Sequence, residues 1–446
     1  MQPYQAKSVD HNGRERKSIP MRMGRTIVAM TALVAMTGGA VAQLLPPMGG
    51  AIGQTTQGIG QGIGRLGDAV GDTLSETADR TTGLIYRLAQ QRIGRLEALV
   101  RRNPQALEID ARGDPAVKGE LLLIDASPAA LQAAKAAGFA LVAEEAIEGL
   151  DIRTARLRAP EGLSLARAER QLRKLAPGAQ IQSNPIYQPS GGAASPTRGG
   201  DASTAAGPGA PIGLIDGGVA PHPTLPAGIV QRGFAAGAPA PGDHGTAIAS
   251  ILVGRGAVRG VSPQSRLFVA DVFGRDPGGG NALAIARALG WLAASNVAVV
   301  NISLAGPDNI LLARAVAAAD RRGLLMVAAV GNDGAAAPPA FPASYPQVIA
   351  VTGVDARGRP LIEAGKARHL DFAAPGAGLL AATAAGSTAM VRGTSYAAPF
   401  VAGRLARLSA AGRPARPKAI ALLSAEAQGK NRLTGRGIVC GPCATR

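Results

Sequence analysis

From residue 212 onward, apolar runs of five to eight residues alternate with longer stretches in which apolar positions recur every three or four, so strand and helix are expected in turn. The pattern predicts strands at 212–216, 266–273, 297–304, 324–330 and 348–354, and helices at 244–253, 281–295 and 308–322. Runs such as Val297-Ala-Val-Val-Asn-Ile-Ser-Leu304 are almost wholly apolar. That suits a parallel strand covered on both faces. Residues 212–446 therefore read as an α/β domain with a doubly wound, mostly parallel sheet. Asp216, Asn332 and the segment around Ser303 fall at or beyond strand carboxyl ends, the edge where such sheets hold ligands.

Upstream the rhythm is shorter. Residues 119–125, 139–143, 150–157 and 179–187 read as strands, while Ser127 caps a short Ala-rich helix and 164–175 form a second one. Their order is β-α-β-β-α-β, the layout of a small α+β ferredoxin-like domain over about 113–188. By itself that layout predicts no chemistry. Before it, Leu66, Val70, Leu74, Ile85, Leu88, Leu96 and Val100 recur at helical spacing, and 43–65 are rich in Gly and Gln. Residues 189–211, built of Gly, Ala, Ser and Pro, read as an exposed linker that is easily cut.

Composition adds three points. Aromatics are only 3% of the chain, so the cores must be built from Ala, Val, Leu and Ile. Six basic and two acidic side chains in residues 1–25 precede an apolar run at 26–42, which reads as a secretory signal cut after Ala40-Val41-Ala42. Translation from Met21 or Met23, or retention of the run as an anchor, stays open; at 17 residues with two glycines the run is short for a span. An exported chain would have its only cysteines, Cys440 and Cys443, oxidised to each other. The net charge of +17 invites a polyanion, but no aromatic interleaving or basic helix supports nucleic acid. Residues 404–446 carry nine basic side chains against one acidic, a solvated face or a weak contact with an anionic surface.

The chemistry lies in three distant residues. An alcohol at neutral pH needs an imidazole to take its proton, and the imidazole needs a carboxylate to fix its tautomer. Asp216, before two glycines at a strand end, His244 at a helix start, and Ser395 in Gly-Thr-Ser-Tyr-Ala-Ala-Pro supply the three groups, in the order Asp, His, Ser. The Ala-rich run after Ser395 reads as a helix, with the serine in its first turn, where unpaired N–H groups favour an anion.

Residues 212–446 resemble a subtilisin-like serine protease, a subtilase. The stretches that carry the resemblance are Ile-Gly-Leu-Ile-Asp-Gly-Gly-Val, Asp-His-Gly-Thr-Ala-Ile-Ala-Ser, Val-Val-Asn-Ile-Ser-Leu-Ala-Gly-Pro, Val-Ala-Ala-Val-Gly-Asn-Asp-Gly, Phe-Pro-Ala-Ser-Tyr-Pro, Asp-Phe-Ala-Ala-Pro-Gly and Gly-Thr-Ser-Tyr-Ala-Ala-Pro. The resemblance implies a serine endopeptidase with Asp216 as triad carboxylate, His244 as general base, Ser395 as nucleophile and Asn332 as oxyanion donor. It implies that Ser303, Leu304, Ala305 and Gly306, with Gly278, Gly279 and Gly280, pair with an extended polypeptide substrate, and that Asp333 lies near the primary specificity pocket. It also implies that 113–188 act as a propeptide, folding aid and intramolecular inhibitor in one, with self-cleavage within about 188–211. No cofactor is implied; Val253–Gly260 is too short for the family's calcium loop, so no metal site carries over.

Several residues depart from the family pattern. Gly217 follows the aspartate where Thr or Ser is usual, Ala247 stands where the histidine helix usually has a second His, and Tyr396 replaces Met after the serine. None of these removes a reacting group. The alternative from another class is a catalytically silent subtilase-like protein that binds peptides in the same groove. An α/β-hydrolase is excluded because 393–397 are not Gly-x-Ser-x-Gly, and a metalloprotease because the chain has no His-Glu-x-x-His.

Overall fold

The computed structural model describes residues 83–84, 87–191, 208–440 and the backbone of 195–196, all within one compact unit, Glu76–Arg446. The expected signal segment, the Gly/Gln-rich stretch, the helical spacing before residue 83, most of 192–207 and Cys443 lie outside the described residues. Among the described residues no helix is long and apolar enough to cross a membrane.

Helix α1 covers 87–102, the second half of the amphipathic stretch. Strand β1 (Leu107–Ile109) then pairs with the start of β2 (Pro115–Ile124), and α2 (Pro128–Ala136), β3 (Ala140–Ile147), β4 (Ile152–Arg158), α3 (Leu165–Leu175) and β5 (Gln180–Pro185) follow. Ser127 caps α2 by accepting from Ala130 N at 3.2 Å. The main strands lie in the order β5-β2-β4-β3, all antiparallel, which is the ferredoxin-like arrangement. Leu121, Leu123, Ala155 and Leu157 pack with Leu165, Ala168 and Leu172 of α3, so one face of this sheet has its own core.

The chain enters the larger domain through two short strands, β6 (Gln188–Pro189) and β7 (Ser195–Pro196). The larger domain is laid out as β8 (Ile212–Asp216), β9 (Val230–Gly233), α4 (Asp243–Val253), β10 (Leu267–Asp271), α5 (Ala282–Ala294), β11 (Val299–Ile302), β12 (Leu304–Ala305), α6 (Ile310–Arg321), β13 (Leu325–Ala329), β14 (Val348–Val354), β15 (Phe372–Pro375), β16 (Ala377–Ala382), β17 (Thr388–Arg392), α7 (Ala398–Leu408) and α8 (Arg416–Glu426). Seven parallel strands form the main sheet in the order β9-β10-β8-β11-β13-β14-β15. Alternate residues feed two cores. Ile215, Val300, Ile302, Met326 and Ala328 meet Leu289, Leu292, Leu312 and Val316 of α5 and α6. Leu214, Val299, Leu325 and Val327 meet Ile248, Leu252, Val401 and Leu405 of α4 and α7. This double coverage is why the strands read as unbroken apolar runs. From β8 the sheet grows first through β10 and β9 on one side and then through β11 on the other, and the reversal opens a crevice at the carboxyl ends.

Two expectations need correction. Ser395 is not in the first turn of an α-helix but in a separate 3-10 turn, Thr394–Tyr396, with α7 starting at Ala398. Pro399, which has no N–H to give, sits in the first turn of α7, where none is needed. The start of the expected linker is exposed at Pro189 but is not free, because the chain there is paired and Ser190 is buried. Gln188 and Pro189 pair antiparallel with Ala305 and Leu304, and Ser190 is 3% exposed. The cause is the edge strand β12, whose unpaired backbone groups are satisfied by the passing chain.

Candidate active site

Asp216 ends β8 and is 1% exposed. A carboxylate so buried needs hydrogen bonds, and it has them: Gly217 N donates to Oδ1 at 2.7 Å, and His244 Nδ1 lies 2.9 Å from both oxygens. His244 stands in the first turn of α4, and the carbonyls of Gly217 and Gly218 pass so close to Gly245 that a Cβ there would meet Gly217 O at 2.4 Å. The Gly217-Gly218 and Gly245 pattern is what lets the strand end and the helix start approach. With Nδ1 aimed at the carboxylate, Nε2 faces Ser395 Oγ, 3.1 Å away. A hydroxyl, an imidazole and a buried carboxylate are thus in line.

Ser395 is held by its backbone. Its carbonyl accepts from Ser303 Oγ at 2.9 Å, and Asn301 Nδ2 donates to that same Oγ at 2.8 Å. Thr394 Oγ1 donates to Gly331 O at 3.0 Å, and Thr394 N donates to Asn332 Oδ1 at 3.0 Å. The last bond fixes the Asn332 amide so that Nδ2 points at the space beside Ser395. Tyr396 packs its ring 5.5 Å from that of His244, and burial, with the charges of Asp216 and Asp243 adding, holds its phenol above the usual range.

That space is filled by the chain itself. The Ser190 carbonyl oxygen accepts from Ser395 N at 3.0 Å, from Asn332 Nδ2 and from the Ser395 hydroxyl. Ser190 N donates to Ser303 O at 3.0 Å, and Tyr187 N donates to Gly280 O at 2.8 Å. Ile186 bridges to Asn281. Residues 186–190 are therefore a middle strand between 280–281 and 303–305, with Ser303, Leu304, Ala305 and Gly280 in direct backbone contact. Gly306 flanks the Tyr187 ring, and a Cβ at Gly306 would meet Tyr187 Cδ1 at 2.4 Å. Gly278 and Gly279 instead make the turn that presents Gly280, through bonds to Asp276.

Asp333 stands at the mouth of this cleft, its side chain 34% exposed, where Arg92 Nε reaches it at 3.1 Å and Arg95 also pairs with it. Both arginines come from α1. Neither they nor Ser190 stood out in the sequence; the available signal was Tyr187, an aromatic next to a Gly/Ser/Pro stretch in a chain nearly without aromatics. Cys440 is disulfide-bonded, and Cys443 is outside the described residues. Among the described residues no cluster of three His, Cys, Asp or Glu could hold a metal ion.

The model of the Subtilase family matches residues 207–437. The chain belongs to the subtilase family. As a subtilase it is a serine-type endopeptidase. Subtilisin BL of Lederbergia lenta is 33% identical over 207 residues, 45% of this chain and 76% of the relative. The major intracellular serine protease of Bacillus subtilis (strain 168) is 33% identical over 172 residues, 36% of this chain and 54% of that one. Fervidolysin from Fervidobacterium pennivorans, described as a keratinolytic enzyme related to subtilisin, superposes with a TM-score of 0.62 at 19% identity, over 74% of this chain and 61% of fervidolysin. That likeness extends the shared fold beyond the length matched by the sequence relatives.

Proposed function

We propose that this subtilase cleaves polypeptides through an acyl-enzyme on Ser395, with His244 as general base and acid, Asp216 as its orienting carboxylate and Asn332 as oxyanion donor, and that it is made as a zymogen that processes itself. The observation that carries the reading is the His244 imidazole, 2.9 Å from the buried Asp216 carboxylate on one side and 3.1 Å from Ser395 Oγ on the other. Asp216 holds the tautomer and stabilises the imidazolium formed when the hydroxyl proton moves. Asn332 and Ser395 N stand where charge develops, and removing one such donor costs about 10²–10³ in turnover. The zymogen part is supported by the ferredoxin-like domain packed against α5 and by residues 186–190 filling the cleft. Export to the periplasm or medium is supported by residues 1–42.

The enzyme should be labelled by a fluorophosphonate, and Ser395→Ala should lose the label and at least about 10³ of its peptide hydrolysis. The same variant made alone should accumulate as an uncut precursor. Full labelling of the alanine variant would move the nucleophile elsewhere. Efficient processing of the variant without wild-type enzyme would remove self-maturation and leave the protease. Precursor that stays in the cytosol with residues 1–42 attached would sink the export assignment.

A further inference from the structure

The segment in the cleft has a definite register, and the register names a bond. Resting on the catalytic reading above, we infer that the bond this enzyme cuts in itself is Ser190–Gly191, and that Tyr187, three residues before the cut, is the side chain its cleft selects in other polypeptides.

The Ser190 carbonyl oxygen is the atom lying among Ser395 N, Asn332 Nδ2 and the Ser395 hydroxyl. Among the hydrogen bonds that hold 186–190, no other carbonyl is offered to those donors. On the far side of the bond, Gly191 lies against the base. A Cβ at Gly191 would meet His244 Nε2 at 2.6 Å and Ser395 Oγ at 2.7 Å, so only glycine fits without displacing a reacting group. Ser395 Oγ bonds to the Ser190 carbonyl carbon while its proton passes to His244 Nε2, and the carbonyl oxygen becomes an oxyanion held by Ser395 N and Asn332 Nδ2. Collapse breaks the Ser190 C–Gly191 N bond as His244 gives the proton to the departing nitrogen, which leaves as the amine of Gly191. One water then adds to the ester, one of its protons passes through His244 to Ser395 Oγ, and Ser190 leaves as a carboxylic acid that gives the other proton to solvent.

Selection follows from burial. Tyr187 is fully buried, its ring lies where Gly306 has no side chain, and its hydroxyl donates to Pro307 O at 2.7 Å. A pocket built to accept a phenol hydroxyl discriminates against side chains that leave its carbonyl unpaired. Ser190 is different. Its Oγ is buried without a hydrogen-bond partner among the described residues, so the slot asks for small size rather than a hydroxyl. The substrate class is therefore an extended polypeptide with Tyr, two residues, a small residue and then Gly.

Wild-type full-length chain should be stopped at early times and its products read by intact mass and N-terminal sequencing, with Ser395→Ala as the uncut reference. The first products should end at Ser190 and begin at Gly191; a first junction elsewhere overturns the bond assignment. Gly191→Val in the full chain should slow self-cutting by about tenfold or more. A peptide with the sequence of residues 184–194, Asn-Pro-Ile-Tyr-Gln-Pro-Ser-Gly-Gly-Ala-Ala, should be cut by matured enzyme between Ser and Gly; it needs no folding of a variant chain. Replacing its Tyr by Ala should lower kcat/KM by about 30-fold or more. Phe should cost about fivefold, and Ser to Ala should change little. Equal cleavage of the Tyr and Ala peptides overturns the selection. Enzyme that takes the fluorophosphonate but cuts at another bond sinks this inference alone, whereas enzyme that takes no label sinks the catalytic reading with it.

Discussion

The two faces of the β5-β2-β4-β3 sheet are both buried, but by different means. One face is closed by the domain's own helices, with Leu121, Leu123, Leu157 and Ile181 packed on Leu165 and Leu172. The other carries Leu122, Ile124, Ile147, Leu150 and Ile152 into the core built by α5 and α6 of the peptidase domain. Polar groups are mixed into that second face. Gln182 and Asn184, each 1% exposed, accept the backbone N–H of Ile310 at 2.7 Å and of Leu283 at 3.1 Å, satisfying donors that the starts of α6 and α5 leave open. Around the rim, Glu145 and Asp125 meet Arg287 and Arg314 of those two helices. The first face is a permanent core. The second is an interface with polar parts that water could satisfy on separation, as the self-processing proposed above would require.

The largest test is made on the permanent face. Leu123→Ala, in an uncut Ser395→Ala background, should destabilise the small domain by about 2–5 kcal/mol, read as an early transition in denaturant unfolding. A single unshifted transition would mean that the small domain has no core of its own and that the two faces do not differ. Next comes the interface. Gly290 of α5 lies under the turn after β3, and a Cβ there would meet Glu148 O at 2.1 Å and Ile147 Cγ2 at 3.0 Å. Gly290→Ala should push the two bodies apart without touching Leu121 or Leu165, at about 1–3 kcal/mol. In otherwise active chain the delay between self-cutting and full activity on an added peptide should then shorten by about fivefold or more. An unchanged delay would show that docking through this face does not hold the cut pro-domain in place.

The two-sided burial explains what the sequence disclosed. Glu120-Leu-Leu-Leu-Ile-Asp125 announces a strand, yet its unbroken apolar run cannot say that Leu122 and Ile124 belong to another domain's core. Element order was legible from the alternation, and Asp216, Asn332 and Ser303 could be put at one rim because strand ends in a parallel sheet share an edge. His244 and Ser395 were legible only through their motifs and the order Asp, His, Ser. The place of Ser190 was not legible, since its fixing bonds are all made by its own backbone N–H and carbonyl, which carry no side-chain signature. Asp333 was legible as a charge near the cleft but not as the partner of Arg92 and Arg95, because 238 residues separate Arg95 from it and nothing periodic links them.

The smallest effects belong to the rim, and they decide how far charge matters to the detachable face. Arg287 grips Glu145 through two nitrogens, at 2.8 Å and 2.5 Å, with side chains 31% and 25% exposed. Arg322 meets Asp151 at 3.0 Å, but that carboxylate is 91% exposed. A half-shielded bidentate pair keeps some Coulomb energy, while the open pair is screened by water and ions. A double-mutant cycle of Arg287→Ala with Glu145→Ala in the uncut chain should give a coupling of at most about 1 kcal/mol, fading by 1 M salt. The same cycle on Arg322 and Asp151 should fall within about 0.3 kcal/mol of zero. Equal couplings for the two pairs would mean that shielding is irrelevant here, and that release of the pro-domain responds to ionic strength around its whole rim rather than at Arg287 alone.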